Sequence, residues 1–220
     1  TIVTTDLAKR VADDYGIETR DVLTGFKYIG DQIAGLEKDG EVDRYLLGFE
    51  ESYGYLSGSY VRDKDAVNGS YLIAQMFAYY KAKGKSLLEV LEGLYKKYGY
   101  YLNTLYSFEF DGESGMKKMD EIMDSFRNNT PSEIAGIKVL EVRDYETSTQ
   151  TTLKTGAKEE IKLPKSNVIK YMLEGNSSAV LRPSGTEPKL KLYLAISGEN
   201  EAGARELESK IADELKKHLA

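Results

Sequence analysis

The run Leu181-Arg182-Pro183-Ser184-Gly185-Thr186-Glu187-Pro188-Lys189-Leu190-Lys191-Leu192-Tyr193 constrains this chain more than any other stretch. It reads as strand, tight loop, strand, and the loop carries groups suited to an anion. Arg182 offers a planar fork of donors, Ser184 and Thr186 offer hydroxyls, and Gly185 lets backbone N–H groups turn toward one point. Pro183 and Pro188 stiffen both ends, so little entropy is lost when a ligand binds. A plain β-hairpin also uses Pro, Ser and Gly at its turn. The whole run from Arg182 to Pro188 is more specific than its parts.

Elsewhere the chain divides in style. Thr4-Thr5-Asp6 supplies helix-capping candidates, Leu7, Val11 and Tyr15 recur at helical spacing, and Gly16 stops that helix. A strand is expected near 19–23, a helix on Ile29, Ile33 and Leu36, and another strand at 45–49 that delivers Glu50 at its carboxyl end. Strands alternating with helices imply a mostly parallel α/β layer whose ligands bind beyond the strand ends. The loops at Thr24 and Glu50 fall there. From Ala66 the pattern is helical, with Leu72, Met76, Tyr79 and Tyr80 on one side. Ser86-Leu87-Leu88-Glu89 is a capping box. Residues 100–110 read as a strand or hairpin arm and 112–126 as an amphipathic helix on Met116, Met119, Ile122 and Met123.

Asn128-Asn129-Thr130-Pro131 reads as a domain boundary, giving domains of residues 1–128 and 129–220. Beyond it, strands at 137–144, 168–173, 178–181 and 189–197 and a closing helix at 199–218 make an antiparallel sheet with helices. Residues 146–166 are expected to form a mobile loop or short hairpin. The fold class is α/β plus α+β: a mixed α/β sheet layer, then a smaller antiparallel sheet with helices.

Composition narrows the chemistry. A chain of 220 residues allows two modest domains. With 41% hydrophobic and 30% charged residues it is an ordinary globular sequence. The net charge of −6, with lysines scattered among acids, argues against nucleic acid as a partner. Most of the 17 tyrosines are assigned to packing. No apolar run is long enough for a membrane span, and no signal-peptide pattern is present. Zero cysteines exclude disulfides and thiol catalysis, and a cytoplasmic protein is expected. The one histidine, His218, lies at a helix end, which leaves no imidazole cluster for catalysis or metal. Neither a P-loop nor a dinucleotide fingerprint occurs.

Glu50 and Glu51 follow a strand and precede a Ser-Tyr-Gly turn. Adjacent side chains on a strand point apart, so only one enters a cleft, and the two cannot flank one glycosidic bond. A solvated acidic turn is the local alternative. A carboxylate facing a cleft can accept from two vicinal hydroxyls at once.

Arg182-Pro183-Ser184-Gly185-Thr186-Glu187-Pro188 resembles the phosphate-binding loop of the α-D-phosphohexomutases, the phosphoglucomutase and phosphomannomutase family. There it sits in the last of four domains and grips the phosphate that is not being transferred. Gly48-Phe49-Glu50-Glu51-Ser52-Tyr53-Gly54 resembles the sugar-binding loop of the third domain, which implies that Glu50 and Ser52 face the sugar. Thr24-Gly25-Phe26-Lys27 resembles a threonine-glycine loop that lines the sugar site in the glucose branch, so Thr24 and Gly25 join the set. Arg62-Asp63-Lys64-Asp65 resembles an element in which a lysine, here Lys64, approaches the active-site phosphate. The family often has a phosphate-gripping basic residue at the position of Lys191, with Lys189 as second candidate.

The resemblance implies a phosphoserine that donates its phosphoryl group to a hexose phosphate, a glucose 1,6-bisphosphate intermediate that turns over, and Mg2+ held by an Asp-rich loop. Neither the serine loop nor the magnesium loop occurs in this sequence, so no catalytic or metal residue is assigned. The chain resembles the third domain, truncated at its start, and the fourth. It is expected to be inactive alone and to need the missing N-terminal domains as partners, with hexose phosphate as substrate. The aromatic form of the two sugar-site loops is more similar to the phosphoglucomutase branch, which implies interconversion of glucose 1-phosphate and glucose 6-phosphate; phosphomannomutase, phosphopentomutase and a non-catalytic phosphosugar-binding module are the alternatives.

Overall fold

Helix α1 (Leu7–Asp14) opens the computed structural model, which describes residues 1–110, 112–185 and 187–219. Its first turn is held by Thr5, whose hydroxyl oxygen accepts from the Leu7 amide at 3.3 Å. It ends before Gly16, whose φ of 65° only glycine adopts without cost. Helix α2 (Phe26–Lys38) follows and buries Phe26, Ile29, Ile33 and Leu36 on one stripe. Ile33 is fully buried, worth about 1.5–3 kcal/mol for a side chain of its size. Strand β1 (Gly48–Glu50) turns back into β2 (Gly54–Leu56), and Val22, Phe26, Ile29, Ile33 and Leu56 form the local core.

Two expectations for this region change. Residues 19–23 form no strand: the Val22 carbonyl accepts one backbone bond, from Ile2, and one bond makes no ladder. The pairing that does form, β1 with β2, is antiparallel rather than parallel. A three-residue turn forces that reversal.

Helix α3 (Ala66–Ala82) is apolar around most of its circumference. Leu72 and Tyr80 are half-buried, whereas Met76 and Tyr79 are exposed, so the expected apolar side is split. Asp65 caps it, accepting from the amides of Val67 and Asn68 at 2.8 and 3.0 Å. Helix α4 (Leu87–Tyr98) starts from the capping box: Glu89 Oε2 accepts from the Ser86 amide at 2.7 Å, and Ser86 Oγ accepts from the Glu89 amide at 3.2 Å.

The chain divides into two compact units at Tyr98 and Gly99. The expected boundary at 128/129 therefore falls inside the second unit. Strand β3 (Tyr100–Glu109) is the reason, because it pairs with β10 (Lys189–Gly198) over its whole length, from Lys189 opposite Glu109 to Gly198 opposite Tyr100. Helix α5 (Gly112–Asn128) goes with it, burying Met119, Met123 and Phe126, while Met116 stays exposed.

The remaining strands are β4 (Glu133–Ile134), β5 (Ile137–Asp144), β6 (Thr149–Thr152), β7 (Lys158–Glu160), β8 (Ile169–Leu173) and β9 (Ser177–Pro183). Among the described residues they complete one antiparallel sheet in the order β3-β10-β9-β8-β5-β6-β7, with β4 added to β5. The span 146–166 holds a short hairpin, β6 against β7. Helix α6 (Glu201–Lys216) packs on the same side as α5: Ile211 and Leu215 share a core with Met119, Met123, Leu181, Leu190, Leu192 and Leu194. Strand alternation then turns Lys189, Lys191 and Arg182 toward the opposite face of the sheet.

Candidate functional site

Each unit carries one set of candidate residues. In the first, Glu50 ends β1 and is 6% exposed. Its carboxylate lies 3.5 Å from the Lys64 ammonium, which also lies 3.4 Å from Asp63 and 5.6 Å from the centre of the Phe26 ring. A buried carboxylate needs such a counter-charge, because desolvation penalises the unpaired ion. Glu51 turns the other way and accepts from the hydroxyls of Thr1 and Thr4 at 3.1 and 3.3 Å. The pair therefore splits as alternation requires, with Glu50 inward.

Lys64 is held in place from two sides. The Asp65 amide donates to the Tyr55 carbonyl at 2.9 Å, which ties the segment to β2. Against α2, the Arg62 carbonyl lies where a Cβ on Gly30 would come within 2.6 Å of it, so glycine permits the close approach. Asp65 itself is fixed: the Asn68 amide, the Tyr60 hydroxyl and the Val67 amide hold its carboxyl below the usual range. Thr24 is half-buried, and Gly25 precedes α2 with a φ of 121°. The next residue, Phe26, lies under the Lys64 ammonium, so this loop, Glu50 and Lys64 converge. Ser52 is exposed at the tip of the turn.

In the second unit, Arg182 and Lys191 are directly opposite each other on β9 and β10. The loop between them is closed by the Ser184 amide donating to the Lys189 carbonyl at 2.7 Å. Arg182 Nη1 donates to the Tyr193 hydroxyl at 3.4 Å, and Tyr193 is buried on the next outward position of β10. The two lysines differ. Lys189 pairs with Glu109 and Glu187, each at 3.2 Å, and those two carboxylates raise its pKa. Lys191 is the cross-strand partner of Arg182 on the same face, and two cations on one face suit a dianion. Gly185 is exposed, its φ is not left-handed, and a Cβ there would meet nothing within 4 Å. Glycine at 185 is thus not demanded by the turn; it keeps space open beside the loop. Thr186 lies outside the described residues.

Phe26, Gly30 and Tyr193 escaped the sequence reading, because each acts through a contact made by tertiary packing or strand register, with Lys64, Arg62 and Arg182 respectively. Asp65 had a visible signal, a capping residue just before an apolar run.

Residues 1–98 match the model of phosphoglucomutase/phosphomannomutase, alpha/beta/alpha domain III. The chain is 41% identical to a phosphoglucomutase of Staphylococcus saprophyticus over 199 residues, which is 90% of this chain and 36% of that protein. It is 43% identical to a phosphoglucomutase of Staphylococcus aureus over 199 residues, 90% of this chain and 35% of the relative. The crystal structure of the Paramecium phosphoprotein parafusin (pp63), a phosphoglucomutase in its open form, shares the fold with a TM-score of 0.63 at 18% identity, over 98% of this chain and 35% of that one. With both motif loops present and the match running across both units, the chain belongs to the phosphoglucomutase/phosphomannomutase family. It spans about a third of the length of these relatives.

The family implies a metal cofactor. Among the described residues no three His, Cys, Asp or Glu side chains come together as a metal site. No helix is long and apolar enough to cross a membrane.

Proposed function

We propose that this chain is the C-terminal part of a phosphoglucomutase, which as a whole interconverts glucose 1-phosphate and glucose 6-phosphate through a phosphoserine, glucose 1,6-bisphosphate and Mg2+. Its share of the work is to hold the substrate. Arg182, Lys191 and the loop at Ser184, Gly185 and Thr186 grip the phosphate that is not being transferred. Glu50 and Ser52 hold sugar hydroxyls, with Thr24 and Gly25 lining the site and Lys64 supplying positive charge near the transferred group. Phosphoserine and Mg2+ loops belong to domains that precede this part, in a cytoplasmic enzyme.

The observation that carries this reading is the cross-strand pair of Arg182 and Lys191 at the mouth of a closed loop. A guanidinium fork on the same sheet face as an ammonium matches the charge and geometry of a phosphate dianion better than those of a neutral sugar. The relatives described above are phosphoglucomutases, which favours glucose over mannose or pentose phosphates. A sugar-binding carboxylate that reads O3 and O4 does not separate glucose from mannose, which differ at C2.

Titration of the chain with glucose 1-phosphate and glucose 1,6-bisphosphate, followed by NMR beside Arg182→Ala, tests it. Binding that the substitution weakens by roughly tenfold or more supports the reading. Absence of binding, even with the N-terminal domains added in trans, overturns it.

A further inference from the structure

We propose that Tyr53 is a platform for the sugar ring, its phenol stacking on the C–H face of the hexose whose hydroxyl edge Glu50 holds. The inference rests on the functional reading above and adds a residue to it. Tyr53 closes the three-residue turn between β1 and β2 with a φ of 63°. That conformation crowds the Cβ of any L-residue and is a genuine outlier for a bulky one. Turns of this length place glycine there.

The other non-glycine residues of positive φ among those described are Ala135, Ser148 and Asn176, all small. Only Tyr53 pairs the strained backbone with a large side chain. Packing does not compensate, since Tyr53 is 89% exposed. An aromatic residue that is both strained and exposed has no structural return, and strain of this kind concentrates at ligand sites.

Its place says which ligand. Tyr53 directly precedes Gly54, the cross-strand partner of Glu50. A pyranose has an edge of hydroxyls and a face of C–H groups. The carboxylate suits the edge, and a tyrosine, with an apolar ring and a polar tip, suits the face. Nothing in that contact needs charge, so it acts on the ring and leaves the phosphate to Arg182.

The test titrates the chain and its Tyr53→Phe and Tyr53→Gly variants with glucose 1-phosphate and, as a ringless probe, inorganic phosphate. Tyr53→Phe should bind as the parent does. Tyr53→Gly should lose roughly threefold to tenfold for glucose 1-phosphate, the scale of one aromatic contact, and nothing for phosphate. It should also melt no earlier than the parent, because the strain is relieved. In saturation-transfer NMR, the sugar C–H protons should lose the signal they receive from the ring. Undiminished glucose 1-phosphate binding by Tyr53→Gly overturns the inference alone, as does equal loss for both probes. Failure of the parent chain to bind glucose 1-phosphate, even with the N-terminal domains added in trans, overturns the functional reading and this inference with it.

Discussion

Glu50 and Gly54 are cross-strand partners, and a Cβ built on Gly54 would lie 2.8 Å from both Cγ and Oε1 of Glu50. The carboxylate occupies the space that glycine leaves. Gly54→Ala should therefore push the Glu50 side chain from its position beside Lys64. Overpacking of this kind costs about 1–3 kcal/mol of stability, and sugar-phosphate affinity should fall with it. A denaturant melt and a glucose 1-phosphate titration of the variant check both.

Gly30 and Gly35 lie on the same helix and should answer oppositely to alanine. At Gly30 the new Cβ meets the Arg62 carbonyl at 2.6 Å, and backbone cannot swing aside as a side chain can. Gly30→Ala should destabilise by about 1–3 kcal/mol and displace the Lys64 segment. At Gly35 nothing lies within 4 Å, so Gly35→Ala should stabilise the helix by about 0.5–1 kcal/mol. Paired chemical denaturation curves decide it.

Arg182, Lys191 and Lys189 should rank in that order for phosphate binding. Loss of a charged hydrogen bond costs about 1.5–3 kcal/mol, so Arg182→Ala should weaken binding by roughly tenfold to a hundredfold. Lys191→Ala should follow. Lys189→Ala should change least, since its ammonium is engaged by Glu109 and Glu187. Titration of the three variants with glucose 1,6-bisphosphate would refute the order if Lys189→Ala proved the most damaging.

Alkaline pH should loosen the first unit through Tyr45. Burial pushes its phenol from 10.0 up to about 12, opposed by a backbone hydrogen bond with Gly48, and the protonated hydroxyl donates to the Leu56 carbonyl at 2.9 Å. Between those values the unfolded chain releases a proton that the folded chain keeps. The stability present below pH 10 is therefore lost as pH rises toward 12. Tyr45→Phe should flatten that slope while costing about 1 kcal/mol near neutrality for the lost bond. Thermal melts of the parent and variant across this range provide the measurement.

Much of the fold was legible because its signals are local. The Ser86–Glu89 box is present in the structure. Helix α2 buries Ile29, Ile33 and Leu36, and β5 spans Ile137–Asp144 as alternation required. The boundary was not legible. Asn128-Asn129-Thr130-Pro131 is a strong breaker, but the chain divides some thirty residues earlier, because β3 is claimed by β10 nearly ninety residues away along the sequence. The strand expected at 19–23 is absent for the same reason: Val22 and Leu23 are buried, yet no partner ladder reaches them among the described residues.

The candidate sites divide along the same line. By itself the sequence determined which residues belong to the two loops, since Arg182 through Pro188 and Gly48 through Gly54 are contiguous and their chemistry is written in residue type. Tertiary structure alone decided which of them meet. It set Lys64 against Glu50 and above Phe26, committed Lys189 to two carboxylates, and left Lys191 opposite Arg182. Periodicity specifies the face a side chain turns to, but the neighbour waiting there comes from strand register and helix packing between distant segments, which no local pattern encodes.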